Sequence, residues 1–219
     1  MCNRACLTFA EVYLREKEVK GKAVLEIGSY DVNGSLRSIV ENMLPKSYIG
    51  VDILKGPGVD KVCDADSLLD HFGKECFDLV ISTEMLEHVR DWRKVISNMK
   101  NLMRRNGVLL VTTRSYGVGY HGFPSDFWRY EVNDARILLS DLLIEQIEQD
   151  PIEPGVYIKA RKPTKFVEHD LTYYKLYSIL KSKRCDNINI FETRLLQHYW
   201  RFRSQVLKFT NRFFARPKR

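Results

Sequence analysis

Short apolar runs, spaced by turn residues and stretches of helical period, organise the first 160 or so residues of this chain. They are Ala23-Val24-Leu25-Glu26-Ile27, Tyr48-Ile49-Gly50-Val51-Asp52, residues 59–62, Phe77-Asp78-Leu79-Val80-Ile81-Ser82 and Val108-Leu109-Leu110-Val111-Thr112-Thr113. Continuous rather than alternating apolar character marks strands covered on both faces, as in a parallel sheet. Between the runs, 36–44 reads as a helix closed by Pro45. Residues 91–103 read as a second helix, with Asp91 as N-cap and Asn106-Gly107 as its stop. An amphipathic lead-in helix is predicted over 5–19, stopped by Gly21. Strands alternating with helices at this spacing predict an α/β fold, a doubly wound and mostly parallel sheet with helices on both faces.

The pattern changes further along. Runs at 142–149 and 156–161 are joined by Asp150-Pro151-Ile152-Glu153-Pro154-Gly155, too short for a crossover helix. They predict an antiparallel hairpin that completes a seven-stranded sheet. The body is expected over 1–163 and a separate helical extension over 164–219. Charge follows the same division. Residues 162–219 hold 14 basic against 4 acidic side chains, a net +10, so the remainder of the formal +7 chain is −3. In the extension, Phe191, Leu195, Tyr199, Phe202, Val206, Phe209 and Phe213 recur every three or four positions, with Arg194, Arg201 and Lys208 on another face. This is a basic amphipathic helix. It suits packing on its own body, a homodimer contact, or peripheral contact with an anionic membrane. Nucleic acid is a weaker match, because phosphate binding does not need the apolar stripe.

In an open parallel sheet, ligands bind at the carboxyl ends of strands, where strand order reverses. The first such turn is Gly28-Ser29-Tyr30-Asp31-Val32-Asn33-Gly34-Ser35. A dinucleotide fingerprint would need glycine at positions 30 and 33, which are Tyr30 and Asn33. A Walker loop would need Gly-Lys-Ser/Thr, where the chain has Gly34-Ser35-Leu36. Both phosphate loops fail. The second run ends in Asp52, and a carboxylate there can accept both hydroxyls of a ribose. An acid without a phosphate loop points to a nucleoside lacking pyrophosphate. S-adenosyl-L-methionine is one such ligand, and its cationic groups suit an acidic body.

The order of Val24-Leu25-Glu26-Ile27-Gly28-Ser29, Gly50-Val51-Asp52, Cys63-Asp64-Ala65, Phe77 through Val89 and Gly107 through Thr112 resembles the class I S-adenosylmethionine-dependent methyltransferases. Within them it is most similar to the type 11-like, small-molecule and glycan group. The resemblance covers about residues 20–161. It implies that Glu26 and Gly28 line the methionine end, with Ser29 and Tyr30 in the same turn. It further implies that Asp52 binds the ribose, Ile53 packs near the adenine, and Asp64 and the Ala65 backbone meet the adenine edge. Ser82, Thr83 and Glu84 would face the sulfonium and the acceptor. The family usually has a second glycine where Tyr30 stands. That side chain either fills space over the cofactor or gives the turn another shape.

After the fifth run comes a long segment, 113–130, rich in glycine, aromatic and ionisable residues. Its length and place point to the acceptor site, and its aromatic content suits an organic molecule or a carbohydrate face. Methyl transfer to a hydroxyl needs a base. His121 is the first candidate, because its unperturbed pKa lies near working pH. Asp126 is the second, as base or as partner orienting His121. Arg129 could hold an anionic acceptor or pair with Asp126 at i,i+3 spacing, in which case the two are structural. His88, on the turn after the fourth run, could reach the site or bond backbone.

No metal ligand set is evident from the spacing of His88, His121, His169 and the cysteines. Cys2 and Cys6 would open a radical iron–sulfur motif, but its third cysteine would fall on Phe9. No apolar stretch reaches the ~18 residues of a membrane span, and the amino terminus lacks a secretory signal. The odd, scattered cysteines suit reduced thiols in a cytoplasmic setting. The residues after the fourth run are not Asn/Asp-Pro-Pro-aromatic, and no cysteine stands where cytosine-carbon methylation would need one. Both points argue against nucleic-acid bases as acceptors. The expected activity is therefore methyl transfer to a hydroxyl or amine of a small molecule or glycan. The alternatives are a cofactor-binding but non-catalytic docking module and an RNA methyltransferase.

Overall fold

The structure, a computed structural model, describes residues 3–203 except 123, 197 and 201. The apolar runs become strands: β1 Ala23–Ile27, β2 Ser47–Asp52, β3 Lys61–Val62, β4 Phe77–Thr83 and β5 Met103–Arg114. With β6 Trp128–Arg129 set aside, β7 Leu143–Gln149 and β8 Gly155–Arg161 complete a sheet of seven strands ordered β3-β2-β1-β4-β5-β8-β7. The pairs from β3 across to β5 are parallel, while β8 runs antiparallel to both β5 and β7. The predicted terminal hairpin is thus present.

Burial explains the continuous apolar runs. Alternate residues of each strand serve opposite layers. Leu79, Ile81, Val108 and Leu110 pack under α1 Arg4–Tyr13, α2 Glu16–Val19 and α3 Arg37–Asn42. Val80, Leu109, Val111 and Ile158 pack with the layer containing α4 Leu68–Phe72, α5 Trp92–Leu102 and α6 Val132–Leu138. From α5 alone, Trp92, Val95, Ile96, Met99 and Leu102 are buried. Each such side chain is worth about 1.5–3 kcal/mol relative to exposure.

Two predicted helices differ in extent. The lead-in helix breaks at Leu14, which is extended and turns its side chain into the core; a capping box between Arg15 and Glu18 then starts α2. Asp91 caps α5 as expected, its side chain accepting from the Lys94 amide at 3.2 Å. The helix stops at Leu102, however, not at Asn106-Gly107, because Met103 is already extended and pairs with Phe77. Asn106, at φ 63°, lies where the register shifts before Val108 meets Leu79.

The expected boundary at 163 and the helical reading of everything after it need correction. The chain forms β9 Leu176–Ser178 and β10 Lys183–Cys185, and with β6 these make a second, antiparallel sheet ordered β10-β9-β6. Leu171, Leu176, Leu180 and Ile188 belong to the same core as β5 and α5. Arg93 of α5 fastens this segment by donating to the carbonyls of Leu171 (2.8 Å), Tyr174 and Asp186. Arg184 pairs with Asp134 of α6 at 2.8 Å. Helix begins only at residue 190. There Phe191, Leu195, Tyr199 and Phe202 are exposed, while Leu196 and Trp200 pack against the body. Val206, Lys208, Phe209 and Phe213 lie outside the described residues, as does Cys2; Cys6 is buried beside Phe9. No helix among the described residues is long and apolar enough to cross a membrane.

Candidate active site

The strand order reverses at β1, which has β2 on one side and β4 on the other. At the carboxyl ends of these strands lies a cleft of about 740 Å³, the size of an organic ligand site. Its first wall is the turn after β1. The amides of Gly28 and Ser29 both donate to Val51 O, at 2.9 and 3.0 Å. Gly28 has φ +81°, and a Cβ there would stand 2.5 Å from Met85 Cγ. Only glycine meets both demands. Tyr30 answers the question its position raised: its ring lies against Gly56, where a Cβ would come within 2.0 Å of it. The ring therefore packs on the loop after β2 while still lining the cleft.

Asp52 ends β2 with both carboxylate oxygens at work, Oδ2 accepting from the Tyr30 amide (3.3 Å) and Oδ1 from Leu54 (3.0 Å). Each oxygen keeps a second lone pair for a ligand hydroxyl. Asp64 caps the short turn Ala65–Ser67, accepting from the Asp66 amide at 2.9 Å. Val32, Ile53 and Leu54 line the same wall and are 41–48% exposed. Three large apolar side chains bared together in one cleft mark it as a place for an apolar part of a ligand.

Gly28, Tyr30, Asp52, Ile53, Asp64, Ala65 and Glu84 all line the cleft. Glu26, Ser29, Ser82 and Thr83 do not; they are buried behind it. Glu26 accepts from the Tyr48 hydroxyl at 2.6 Å. Burial pushes its carboxyl up to about 7, against the pull of that hydrogen bond. Glu84 sits at φ 52°, a strained position for a side chain with a Cβ, at the turn out of β4. It ion-pairs with Arg114. Burial and then the neighbouring charge of Glu87 push its pKa up.

Beyond Glu84 the cleft continues to His88, His121, Pro124 and Phe127. The long segment is shaped by Asp126 and Arg129, and here the structural reading of that i,i+3 pair is the one observed. Both are buried; Arg129 grips Asp126 with two nitrogens at 2.6 and 2.7 Å and donates to the carbonyls of Val118, Gly119 and Trp128. Neither reaches the cleft, so Asp126 is not placed as a base nor Arg129 as an acceptor clamp. Asp126 instead orients His121, accepting from its amide at 3.0 Å and standing 3.1 Å from its Nδ1. Burial would raise Asp126, but the Arg129 and His121 charges hold it well below the usual carboxylate range.

His121 also lies 3.9 Å from Glu87. Burial alone would lower its pKa; the two carboxylates outweigh that and carry it up to about 10. A ring that already holds its proton cannot take another, so the reason for choosing His121 as base is lost. Glu87 is buried, with Oε2 accepting from Thr113 Oγ1 at 2.9 Å. Burial works to raise its pKa, and nearby His121 more than offsets it. Sequence spacing gave no metal set, yet the fold brings Glu87, His88 and His121 together with ligand atoms within 4.8 Å of one another. Glu87 was missed altogether; its only signal was an acid beside His88 on the turn after β4.

With this geometry in view, a family described as "Methyltransferase domain" matches residues 4–149. No curated protein matches in sequence. Among solved structures, an S-adenosylmethionine-dependent methyltransferase from Mesorhizobium loti is 18% identical, with a TM-score of 0.57 over 73% of this chain and 99% of that one. The Burkholderia thailandensis 1,6-didemethyltoxoflavin-N1-methyltransferase, with 1,6-didemethyltoxoflavin and S-adenosylhomocysteine bound, is 16% identical, with a TM-score of 0.56 over 74% and 80%. The magnesium protoporphyrin IX methyltransferase of Synechocystis, with S-adenosylhomocysteine bound, is 15% identical, with a TM-score of 0.52 over 71% and 80%.

Proposed function

Since this chain belongs to the methyltransferase-domain family, and is a class I S-adenosylmethionine-dependent methyltransferase, we propose that it methylates a hydroxyl or amine of a small organic molecule or glycan. One observation carries the reading: a single cleft runs from the nucleoside-type wall at Asp52 and Asp64 to His88, His121, Pro124 and Phe127.

When bound, S-adenosylmethionine supplies an electrophilic methyl group. The residues that fit it are those already described. Asp52 would take the ribose hydroxyls on its spare lone pairs, and Asp64 would meet the adenine amino group. Ile53, Leu54 and Val32 would cover the adenine faces. Glu84, on its strained turn, stands between the cofactor wall and the acceptor end. There Phe127 and Pro124 give an apolar wall, while the ring edges of His88 and His121 orient the nucleophile. An acceptor held by these residues would have to meet the methyl carbon in line, the geometry that displacement requires. The Burkholderia enzyme, similar in fold, holds 1,6-didemethyltoxoflavin beside S-adenosylhomocysteine.

A tritiated-methyl assay with cell extract, followed by fractionation, tests this. Label in small-molecule or glycan fractions supports it. Label in RNA, or cofactor binding without any transfer, contradicts it.

A further inference from the structure

Glu87 Oε1 is buried and has no hydrogen-bond partner among the described residues. An orphaned buried carboxylate oxygen is costly and calls for an explanation. Two imidazole nitrogens face it, His88 Nε2 and His121 Nε2, each at 3.9 Å. That is too long for a hydrogen bond, so the cluster does not close on itself.

The other nitrogen of each ring fixes which atom a metal would take. His88 Nδ1 lies 2.5 Å from Ser125 O, and His121 Nδ1 lies 3.0 Å from Gly119 O and 3.1 Å from Asp126 Oδ2. Carbonyl and carboxylate oxygens only accept, so both Nδ1 atoms carry hydrogen. Both Nε2 atoms therefore stand on the Glu87 Oε1 side, and the proton that His121 holds there is the one a bound metal would displace. Histidines held through Nδ1–H by a carbonyl or carboxylate, with Nε2 presented inward, have the outer support typical of metal ligands. Asp126 is itself pinned by Arg129, which makes that support rigid.

We propose that Glu87 Oε1, His88 Nε2 and His121 Nε2 bind one first-row divalent cation at the acceptor end of the cleft. Metal bonds of about 2.0–2.1 Å set tetrahedral ligands roughly 3.4 Å apart. The present spacing needs a contraction of only about half an ångström for the two Glu87–histidine distances. Two imidazoles and one carboxylate suit zinc, cobalt or manganese, and leave coordination positions open. His88 and His121 line the cleft, so those positions face the acceptor. The inference rests on the methyl-transfer reading only for what the cation then does, which is to hold the acceptor hydroxyl and make it more acidic.

The test uses full-length protein treated with chelator. Calorimetry is run separately with Co²⁺, Zn²⁺, Mn²⁺ and S-adenosylhomocysteine, and cobalt absorption spectra report the ligand set. One equivalent of metal is expected to bind. Glu87→Gln and His121→Ala should each weaken it at least about tenfold and alter the cobalt spectrum, with S-adenosylhomocysteine still bound. His88→Ala is the second route should Glu87→Gln fail to fold. Wild-type protein that binds S-adenosylhomocysteine but no metal up to ~1 mM overturns the metal site and leaves the methyl-transfer reading standing. So does metal binding that none of the three substitutions changes. Metal binding without S-adenosylhomocysteine binding supports the site and counts against the reading.

Discussion

Gly28 holds a place that no side chain can share. Its φ of +81° is strained for any other residue, and a Cβ would press into Met85 at 2.5 Å. Gly28→Ala should cost about 1–3 kcal/mol of stability and weaken S-adenosylhomocysteine binding, read by thermal melting and calorimetry. The Asp126–Arg129 pair is a second test at this scale. Arg129→Met takes the two-nitrogen partner from a buried carboxylate and should destabilise by about 3–5 kcal/mol, measured by urea unfolding. Glu26 gives a pH dependence whose sign follows from burial. Its carboxyl titrates near 7 when folded against 4.5 ordinarily. Between those values the folded state binds the extra proton, so stability falls as pH rises from 4.5 to 7, by about 3 kcal/mol in all. Glu26→Gln, which can still accept from Tyr48, should remove that part of the slope.

At the level of elements, the long segment after β5 is not a free loop. Its end pairs with β9 through Trp128–Ser178 and Arg129–Tyr177. Its middle is covered by the last described helix, where Trp200 stacks on Tyr120 with ring centroids 6.2 Å apart and donates to Leu180 O at 3.1 Å. Trp200→Ala should leave the sheet intact while residues 115–122 exchange amide hydrogens faster, since local opening follows local contact. Unchanged exchange there would mean that the Asp126–Arg129 pair alone shapes the segment.

Across the whole molecule, the sheet was legible because strands buried on both faces must be apolar throughout, as Val80–Ile81 and Leu109–Leu110 are. The lining of the cleft was legible for a related reason. A ligand at a sheet's switch point touches residues just past strand ends, and Gly28, Asp52, Asp64 and Glu84 all fall there. The second sheet was not legible, because three-residue strands such as Leu176–Ser178 carry no period. The convergence of His88 with His121 was hidden too. Thirty-odd residues separate them, and their approach depends on a buried ion pair whose spacing could equally have served an exposed helix. The charge division also changes meaning: the basic segment begins inside the body, since 171–188 contribute to its core.

The methyl-transfer reading depends on the cleft between β1, β2 and β4 being the S-adenosylmethionine site. Calorimetry with S-adenosylhomocysteine on wild-type, Asp52→Ala and Asp64→Ala protein measures that directly. One-to-one binding is expected, weakened about tenfold or more by Asp52→Ala, the cost of two lost charge-assisted hydrogen bonds. No binding by the wild type, or equal binding by all three proteins, would contradict it.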